Sequence, residues 1–136
     1  MAEHRHARGL VDTSVVIDLD AIDPEHLPRE LAISAITLAE LAAGPHATRD
    51  SGERARRQDR LQRTEATFEP LPVDGNVARA YGRVYAAVAA SGRKARGRRA
   101  TDLFIAATAL AADLPLYTRN PADFAPLAEL LDIVAV

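Results

Sequence analysis

The chain has 136 residues, which is enough for one domain with a buried core. Its formal net charge of −2 provides no overall attraction to nucleic acid, and the absence of cysteine excludes disulfide frameworks and zinc–thiolate sites. No apolar run approaches the roughly 20 residues that span a bilayer. We therefore expect a single cytoplasmic domain over residues 9–136, preceded by a flexible tail over residues 1–8.

The first ordered unit is expected at residues 9–17, where a short apolar run leads into Asp12, two hydroxyl residues and a second apolar run. This pattern predicts a central strand that ends at Asp12, a tight turn, and a helix from about Ser14 to Asp20. Strands of open α/β sheets end at the ligand-binding crevice, which would place Asp12 at the mouth of a site. Taken alone, the pattern favours the alternative that Asp12 or Ser14 caps the helix.

A second strand and helix follow a loop that two prolines interrupt. Residues 31–34 form a short apolar run, typical of a buried strand, and residues 35–43 have helical composition that Gly44 and a proline bring to an end. Glu40 is the only charged residue of this helix. It either forms the solvent-facing stripe or points into an enclosed polar pocket, and the small apolar neighbours Ala39, Ala42 and Ala43 favour the pocket.

The middle of the chain is predicted to be helical and largely at the surface. Residues 50–67 are rich in arginine and acids, which indicates a surface helix with i,i+4 ion pairs. Residues 68–73 contain two prolines and suit a connector or an edge strand. Asp74 would cap a helix over residues 76–90, in which the apolar residues recur at helical spacing. We expect these to be core or dimer contacts: Val77, Tyr81, Val84, Tyr85 and Val88.

The most basic stretch is residues 91–99, which stands directly before another carboxylate. It is either a solvated loop or a segment that binds a phosphate backbone. The candidate RNA-binding residues are Arg93, Lys94, Arg96, Arg98 and Arg99. Residues 101–112 are almost entirely apolar and predict a buried helix. Asp102 would lie in its first turn, where the helix dipole alone favours a carboxylate.

The end of the chain completes an alternating pattern of strands and helices. Residues 114–118 predict a strand that ends in a polar turn, and residues 130–136 predict a last strand at the sheet edge. Strands that alternate with helices imply βαβ units. The fold class is therefore α/β, with a mostly parallel central sheet.

Four acids stand at or just after strand-to-helix junctions or near the starts of helices: Asp12, Glu40, Asp102 and Asp123. In a parallel sheet such positions converge on one edge, where carboxylates repel one another unless a cation neutralises them. All-oxygen ligation is what Mg²⁺ or Mn²⁺ prefers. A cation held in this way could activate a water and stabilise the leaving oxygen of a phosphodiester.

Four motifs together give the sequence a family resemblance. They are Leu-Val-Asp-Thr-Ser at 10–14, Ile-Ser-Ala-Ile-Thr-Leu-Ala-Glu-Leu-Ala-Ala-Gly at 33–44, Asp-Leu-Phe-Ile-Ala-Ala at 102–107 and Leu-Tyr-Thr-Arg-Asn-Pro-Ala-Asp-Phe at 116–124. In this order and spacing the chain resembles the PIN-domain ribonucleases, in particular the VapC-type toxins of bacterial toxin–antitoxin pairs. The resemblance extends from about residue 9 to the end. Each motif alone is weak, whereas four in register are specific.

The resemblance implies a three-layer α/β/α PIN-like domain, a homodimer, and Mg²⁺- or Mn²⁺-dependent endoribonuclease activity that a VapB-like antitoxin inhibits by blocking the acidic pocket. It implies that Asp12 and Asp102 are the principal metal ligands and that Glu40 binds directly or through water. The fourth catalytic position is Asp123 or Asn120, because many relatives have an aspartate where this chain has Asn120.

Thr13, Ser14 and Thr118 are expected to form hydrogen bonds to these ligands, and Asn120 can offer a carbonyl to metal or water. The mechanism that we expect is in-line attack of an activated water on phosphorus with departure of the 3′ oxygen, while residues 93–99 hold the backbone. The alternative is a non-catalytic PIN-fold module that binds RNA or a protein partner, because a fold does not establish an activity.

Overall fold

The computed structural model describes residues 6–93 and 98–136. In chain order the strands and helices are β1 (Arg8–Val11), α1 (Thr13–Ile17), β2 (Glu30–Ala32), α2 (Ala35–Ala43), α3 (Ser51–Thr67), α4 (Gly75–Ala90), α5 (Arg98–Ala111), β3 (Leu116–Thr118) and β4 (Ile133–Ala135). Short 3₁₀ segments lie at Leu19–Ala21, Pro24–His26, Gly44–Ala47 and Pro121–Leu127.

The four strands form one sheet in the order β2-β1-β3-β4, and all three pairings are parallel. The predictions of a central first strand, a last strand at the edge and a mostly parallel sheet are confirmed. The chain passes from β1 to β2 on one side and later returns to β3 on the other side. The order therefore reverses between β1 and β3, the place where open α/β sheets bind ligands beyond the strand ends.

The pleat of the strands divides the core into two halves. Leu10 and Leu116 pack on one face with residues of α4 and α5, whereas Val11 and Tyr117 pack on the other face with residues of α1 and α2. This alternation follows from the two-residue period of a strand, which turns successive side chains to opposite faces. The result is the predicted three-layer α/β/α arrangement.

Helix α4 contributes to one of these cores as its spacing predicted. Its valines at 77, 84 and 88 are buried there. Tyr81 stacks on Phe104 of α5 with a centroid distance of 4.1 Å. Tyr85 differs, because half of its surface (50%) is exposed in the single chain. The core interpretation therefore holds for every member of this set except Tyr85.

Three predicted boundaries need correction. Helix α5 begins at Arg98, before the predicted start at residue 101, because arginines are good helix formers and extend the helix toward its N-terminus. Asp102 therefore lies beyond the first turn, and its interpretation as a first-turn dipole partner is wrong.

Helix α1 is shorter than predicted, since it begins at Thr13, ends at Ile17 and is followed by a 3₁₀ turn. Strand β2 ends at Ala32 rather than at residue 34.

The ordered fold also begins before the predicted boundary at residue 9. Strand β1 starts at Arg8, and the carbonyls of His6 and Ala7 accept hydrogen bonds from the backbone of Arg29 (3.1 Å) and Glu30 (2.9 Å). Residues 6–8 are thus held against the sheet rather than forming part of a tail. Within residues 6–93 and 98–136, no helix has both the length and the apolar character to cross a bilayer.

Gly9 in the centre of the sheet should be intolerant of any side chain. A Cβ there would lie 2.6 Å from Cε1 of the buried Tyr117 ring and 3.1 Å from Cγ of Pro28. Because this overpacking cannot be relieved at a solvent edge, we expect Gly9→Ala to lower the free energy of unfolding by about 1–3 kcal/mol in urea denaturation.

Gly82 in α4 is the matched control, because a Cβ there meets no atom within 4 Å. Gly82→Ala should stabilise the protein by about 0.5–1 kcal/mol, since alanine loses less backbone entropy on helix formation. Equal effects of the two substitutions would contradict the packing described around Gly9.

Candidate active site

Asp12 combines the two roles that the sequence left as alternatives. Its carboxylate Oδ1 accepts hydrogen bonds from the backbone N–H of Val15 (3.3 Å) and the hydroxyl of Ser14 (2.5 Å), so Asp12 is the N-cap of α1. The same residue lines a cavity beyond the strand ends although only 5% of its surface is exposed. The Ser14 hydroxyl also accepts a hydrogen bond from the backbone of Arg119 (3.2 Å), which links α1 to the segment after β3.

The other oxygen of Asp12 is held across the sheet. Strand register pairs Val11 with Tyr117, so the next step along both strands places Asp12 beside Thr118. The Thr118 hydroxyl donates to Oδ2 of Asp12 at 2.6 Å and accepts from the backbone N–H of Asn120 at 3.0 Å. Thr118 is completely buried. One hydroxyl therefore fixes both the Asp12 carboxylate and the start of the turn that carries Asn120.

Glu40 on α2 points into the same cavity, as the pocket interpretation predicted. The hydroxyl of Thr13 donates to Oε1 of Glu40 at 2.6 Å and lies 3.1 Å from the hydroxyl of the buried Thr37. The premise of that prediction was wrong, however, because the small neighbours are exposed: Ala39, Ala42 and Ala43. Thr37 was missed by the sequence analysis, although its position three residues before Glu40 puts both on one face of the helix.

The cavity has a volume of about 690 Å³ and opens at the carboxyl ends of β1 and β3. We call it the acidic cavity, because six carboxylates line it: Asp12, Asp18, Glu40, Glu53, Asp102 and Asp123. The structure thus brings together all four predicted catalytic acids. Thr13, Ser14 and Asn120 also line it, whereas Thr118 reaches it through its hydrogen bond to Asp12. Asn120 and Asp123 are both exposed in its wall, and each remains a candidate for the fourth position.

Among the described residues, arginines form ion pairs with Asp18 and Glu53 of this cavity. Asp18 lies 3.4 Å from Nε of Arg119. Glu53 accepts hydrogen bonds from Nε of Arg57 at 2.9 Å and from Arg56 at 3.0 Å. The bond from Arg57 has the larger effect and the bond from Arg56 the next, and together they hold the pKa of Glu53 below its usual range. Glu53 and the arginines of α3 that line the cavity were not among the predicted site residues.

Helix α3 lines the cavity through one face of its surface. Glu53, Arg57 and Arg60 follow each other at i, i+4 and i+7, and all three are half-buried. The predicted i,i+4 pairs are confirmed, since Glu53 pairs with Arg57 and Asp59 with Arg63. This i, i+4, i+7 spacing was visible in the sequence, but the sequence analysis interpreted the whole helix as a surface helix and did not assign this face to the site.

The side-chain oxygens that line the acidic cavity are suitable ligands for a hard divalent cation, because Mg²⁺ and Mn²⁺ prefer carboxylate, amide and hydroxyl oxygens. In the part of the chain that the structure describes, no three acidic or histidine side chains stand close enough to form a complete ligand set. This is compatible with Mg²⁺ in particular, which commonly takes one or two carboxylates and completes its coordination with water.

The basic stretch is only partly described. Arg93 donates to the carbonyl of Ala122 at 3.0 Å, and Arg99 donates to the carbonyl of Asp123 at 2.9 Å. Both arginines thereby hold the 3₁₀ segment that carries Asp123. Lys94, Arg96 and the side chain of Arg98 lie outside the described residues. Binding of RNA by this stretch therefore stays a prediction.

The Thr118 hydroxyl should be important for stability as well as for the site. Thr118→Val would leave Oδ2 of the buried Asp12 and the partly buried N–H of Asn120 without their partner, so we expect a loss of about 1–3 kcal/mol in urea denaturation. Thr118→Ser should retain most of the stability. Thr64→Val is the control, since Thr64 is also buried but donates only to the Arg60 carbonyl within its own helix. A harmless Thr118→Val would contradict this role.

The ion pairs of Glu53 should make stability depend on pH. A carboxyl whose pKa is lowered in the folded state stabilises the protein above its usual pKa, and this stabilisation is lost as pH falls through the lowered pKa. We therefore expect Glu53→Gln to reduce the decrease in melting temperature on acidification. Glu65→Gln in the same helix is the control, because Glu65 makes no ion pair with a described residue. Identical acid profiles of the two variants would refute this assignment.

Comparison with known proteins relates this geometry to a family. Residues 9–130 match the PIN domain. Ribonuclease VapC5 of Mycobacterium tuberculosis is 39% identical over 124 residues, which cover 89% of this chain and 88% of the relative. Ribonuclease VapC8 of Mycobacterium tuberculosis is 36% identical over 110 residues, which cover 80% of this chain and 96% of the relative.

A solved structure agrees with these sequence matches. The crystal structure of VapBC-5 from Mycobacterium tuberculosis, a member of the VapBC family of toxin–antitoxin systems, matches with a TM-score of 0.83 and 39% identity. The match covers 96% of this chain and 99% of the other. The resemblance that the four motifs indicated is confirmed. The chain therefore belongs to the PIN-domain family, among the VapC ribonucleases.

Proposed function

We propose that this chain is a metal-dependent endoribonuclease that acts as the toxin of a toxin–antitoxin pair. The observation that carries the proposal is the meeting of Asp12, Glu40, Asp102 and Asp123 around one cavity at the reversal point of the sheet, in a chain related to ribonucleases named VapC. The carboxylates that meet at this cavity would repel one another and a phosphodiester alike unless a cation binds among them.

In this proposal Asp12 and Asp102 would be the principal ligands of Mg²⁺ or Mn²⁺, Glu40 would bind the ion through water, and Asp123 or Asn120 would complete the site. When bound, the cation supplies Lewis-acid stabilisation of phosphodiester oxygens and lowers the pKa of a water molecule. The chain supplies orientation: the hydroxyls of Ser14 and Thr118 fix the carboxylate of Asp12. The hydroxyl of Thr13 fixes Glu40 in the same way. Fixed ligands lose less entropy on binding and retain one orientation toward the substrate.

The proposal includes an antitoxin partner and a cytoplasmic RNA substrate. The matching VapBC-5 structure is described as a toxin–antitoxin system, which supports a VapB-like partner for this chain. A cationic side chain of such a partner could bind in the acidic cavity, because the cavity carries more carboxylates than guanidinium groups. We propose a homodimer as well, following the family resemblance.

Thermal melting and RNA cleavage test the proposal together. We expect Mg²⁺ or Mn²⁺ to raise the stability of the wild type, by about 2.7 kcal/mol at a hundredfold excess over Kd. Asp102→Asn and Asp12→Asn should abolish this gain and lower cleavage of cellular RNA about a hundredfold or more. Asp12→Asn should still fold, since asparagine is as good an N-cap as aspartate.

The control variant is Asp113→Asn. Asp113 has a positive φ of 55°, which asparagine tolerates, and it does not line the acidic cavity. It should retain both the metal response and the cleavage activity. Metal-independent stability together with no cleavage of any RNA by the wild type would refute the proposal. The alternative of a non-catalytic module that binds RNA or a protein would then replace it.

A further inference from the structure

Arg60 of α3 differs from the other arginines that face the acidic cavity or its surroundings. Arg57 is engaged by Glu53 and by the carbonyl of Gly44 at 2.9 Å, and Arg63 is engaged by Asp59 at 3.1 Å. The side chain of Arg60 makes no hydrogen bond or ion pair with any residue in the described ranges.

The sequence of α3 explains why Arg60 has no partner within its helix. The neighbours three and four positions away are Arg56, Arg57, Arg63 and Thr64. None of them is acidic, and three carry the same charge, which makes the position electrostatically unfavourable for a cation. Arg60 is nevertheless half-buried in the cavity wall, where the five N–H donors of its guanidinium are directed at no partner among the described groups. Such an arrangement indicates a ligand that supplies the acceptors.

The position of Arg60 shows where that ligand would pass. Beside the acidic cavity lies a second depression of about 280 Å³ between α1 and α3, which we call the side groove. Ile17 and Arg60 line both the acidic cavity and the side groove. A linear ligand that extends from the carboxylates into the side groove therefore passes between an exposed apolar side chain, Ile17 (46% exposed), and a guanidinium.

We propose that Arg60 binds a backbone phosphate of the RNA strand next to the phosphodiester in the acidic cavity, and that the strand continues into the side groove. This inference rests on the proposed function, because it takes the acidic cavity as the place of cleavage. A guanidinium matches a phosphate with two parallel hydrogen bonds, and its charge relieves the repulsion that the carboxylates of the acidic cavity exert on a polyanion. An acidic peptide could also pair with Arg60, and the cavity carboxylates would repel it as they repel RNA. It would, however, bring no phosphodiester to the proposed place of cleavage.

Fluorescence anisotropy with a labelled single-stranded oligouridylate tests the contact without depending on cleavage. All variants and the reference protein carry Asp12→Asn, so that the probe stays intact and every protein is compared with the same set of cavity carboxylates. Arg60→Gln should raise Kd about tenfold, as expected for a lost charged hydrogen bond. It should also reduce the slope of log K against log salt by about 0.7, the contribution of one phosphate contact on a single strand. Arg60→Lys should retain the salt slope and lose only part of the affinity, because lysine keeps the charge without the planar fork.

Arg83→Gln is the matched control. Arg83 is an exposed arginine on α4, in the opposite layer, and it also makes no ion pair with a described residue. Its substitution changes the net charge equally but should leave Kd and the salt slope unchanged. Equal effects of Arg60→Gln and Arg83→Gln, or no effect of either, would overturn the inference. Circular dichroism of each variant checks that the fold is retained.

The outcome for Arg60 is separable from the outcome for the proposed function. If the wild type cleaves RNA and Arg60→Gln binds the probe like the control, only the phosphate contact is refuted. If binding depends on Arg60 but the wild type cleaves no RNA under any metal condition, the contact is supported and the proposed catalytic activity is refuted.

Discussion

The hydrogen bond between Thr118 and Asp12 is the interaction on which the site depends. It joins the ends of two adjacent parallel strands and continues their register by one residue beyond the ladder. Because the same carboxylate caps α1, the bond also determines where that helix begins. A shift of register between β1 and β3 would therefore displace the acidic side chain, the cap and the polar turn together. Sheet pairing, helix capping and the proposed chemistry share one set of atoms.

The hydrogen-bond partners described for Asp12 and Glu40 are neutral hydroxyl and backbone N–H groups. The hydroxyls of Thr13, Ser14 and Thr118 orient Glu40 and Asp12 without cancelling their charge. By contrast, two other carboxylates of the acidic cavity, Asp18 and Glu53, are paired with arginines. This difference affects cation binding. A carboxylate that is hydrogen-bonded to neutral groups still attracts a cation, whereas the charge of a carboxylate paired with arginine is already largely compensated. The charges of Asp12 and Glu40 are thereby left available to a cation.

The sequence was sufficient for the architecture, because strands that alternate with helices form a parallel sheet, and the motif at 10–14 stands at the end of its central strand. The sequence was less reliable where an interpretation depended on the first residue of a helix or on which face of a helix meets solvent. The start of α5 at Arg98 moved Asp102 out of the first turn, and Ala39 is exposed although its size suggested an enclosed surface. The cavity-lining face of α3 went unnoticed because the ion pairs around Arg60 resemble those of any surface helix. Side-chain partners across elements depend on tertiary packing, which no local pattern contains.

The separation of Asp12 and Thr118 along the chain, 106 positions, has a consequence for synthesis on the ribosome. Central strand β1 emerges first, yet its neighbour β3 emerges only after helices α1 to α5 have been made. Non-local pairing of this kind closes late, because the entropy of the intervening chain must be lost before the contact forms. A nascent chain that already carries Asp12, Glu40 and Asp102 thus lacks the strand that orients the first of them. The topology delays assembly of the acidic site until translation is nearly complete.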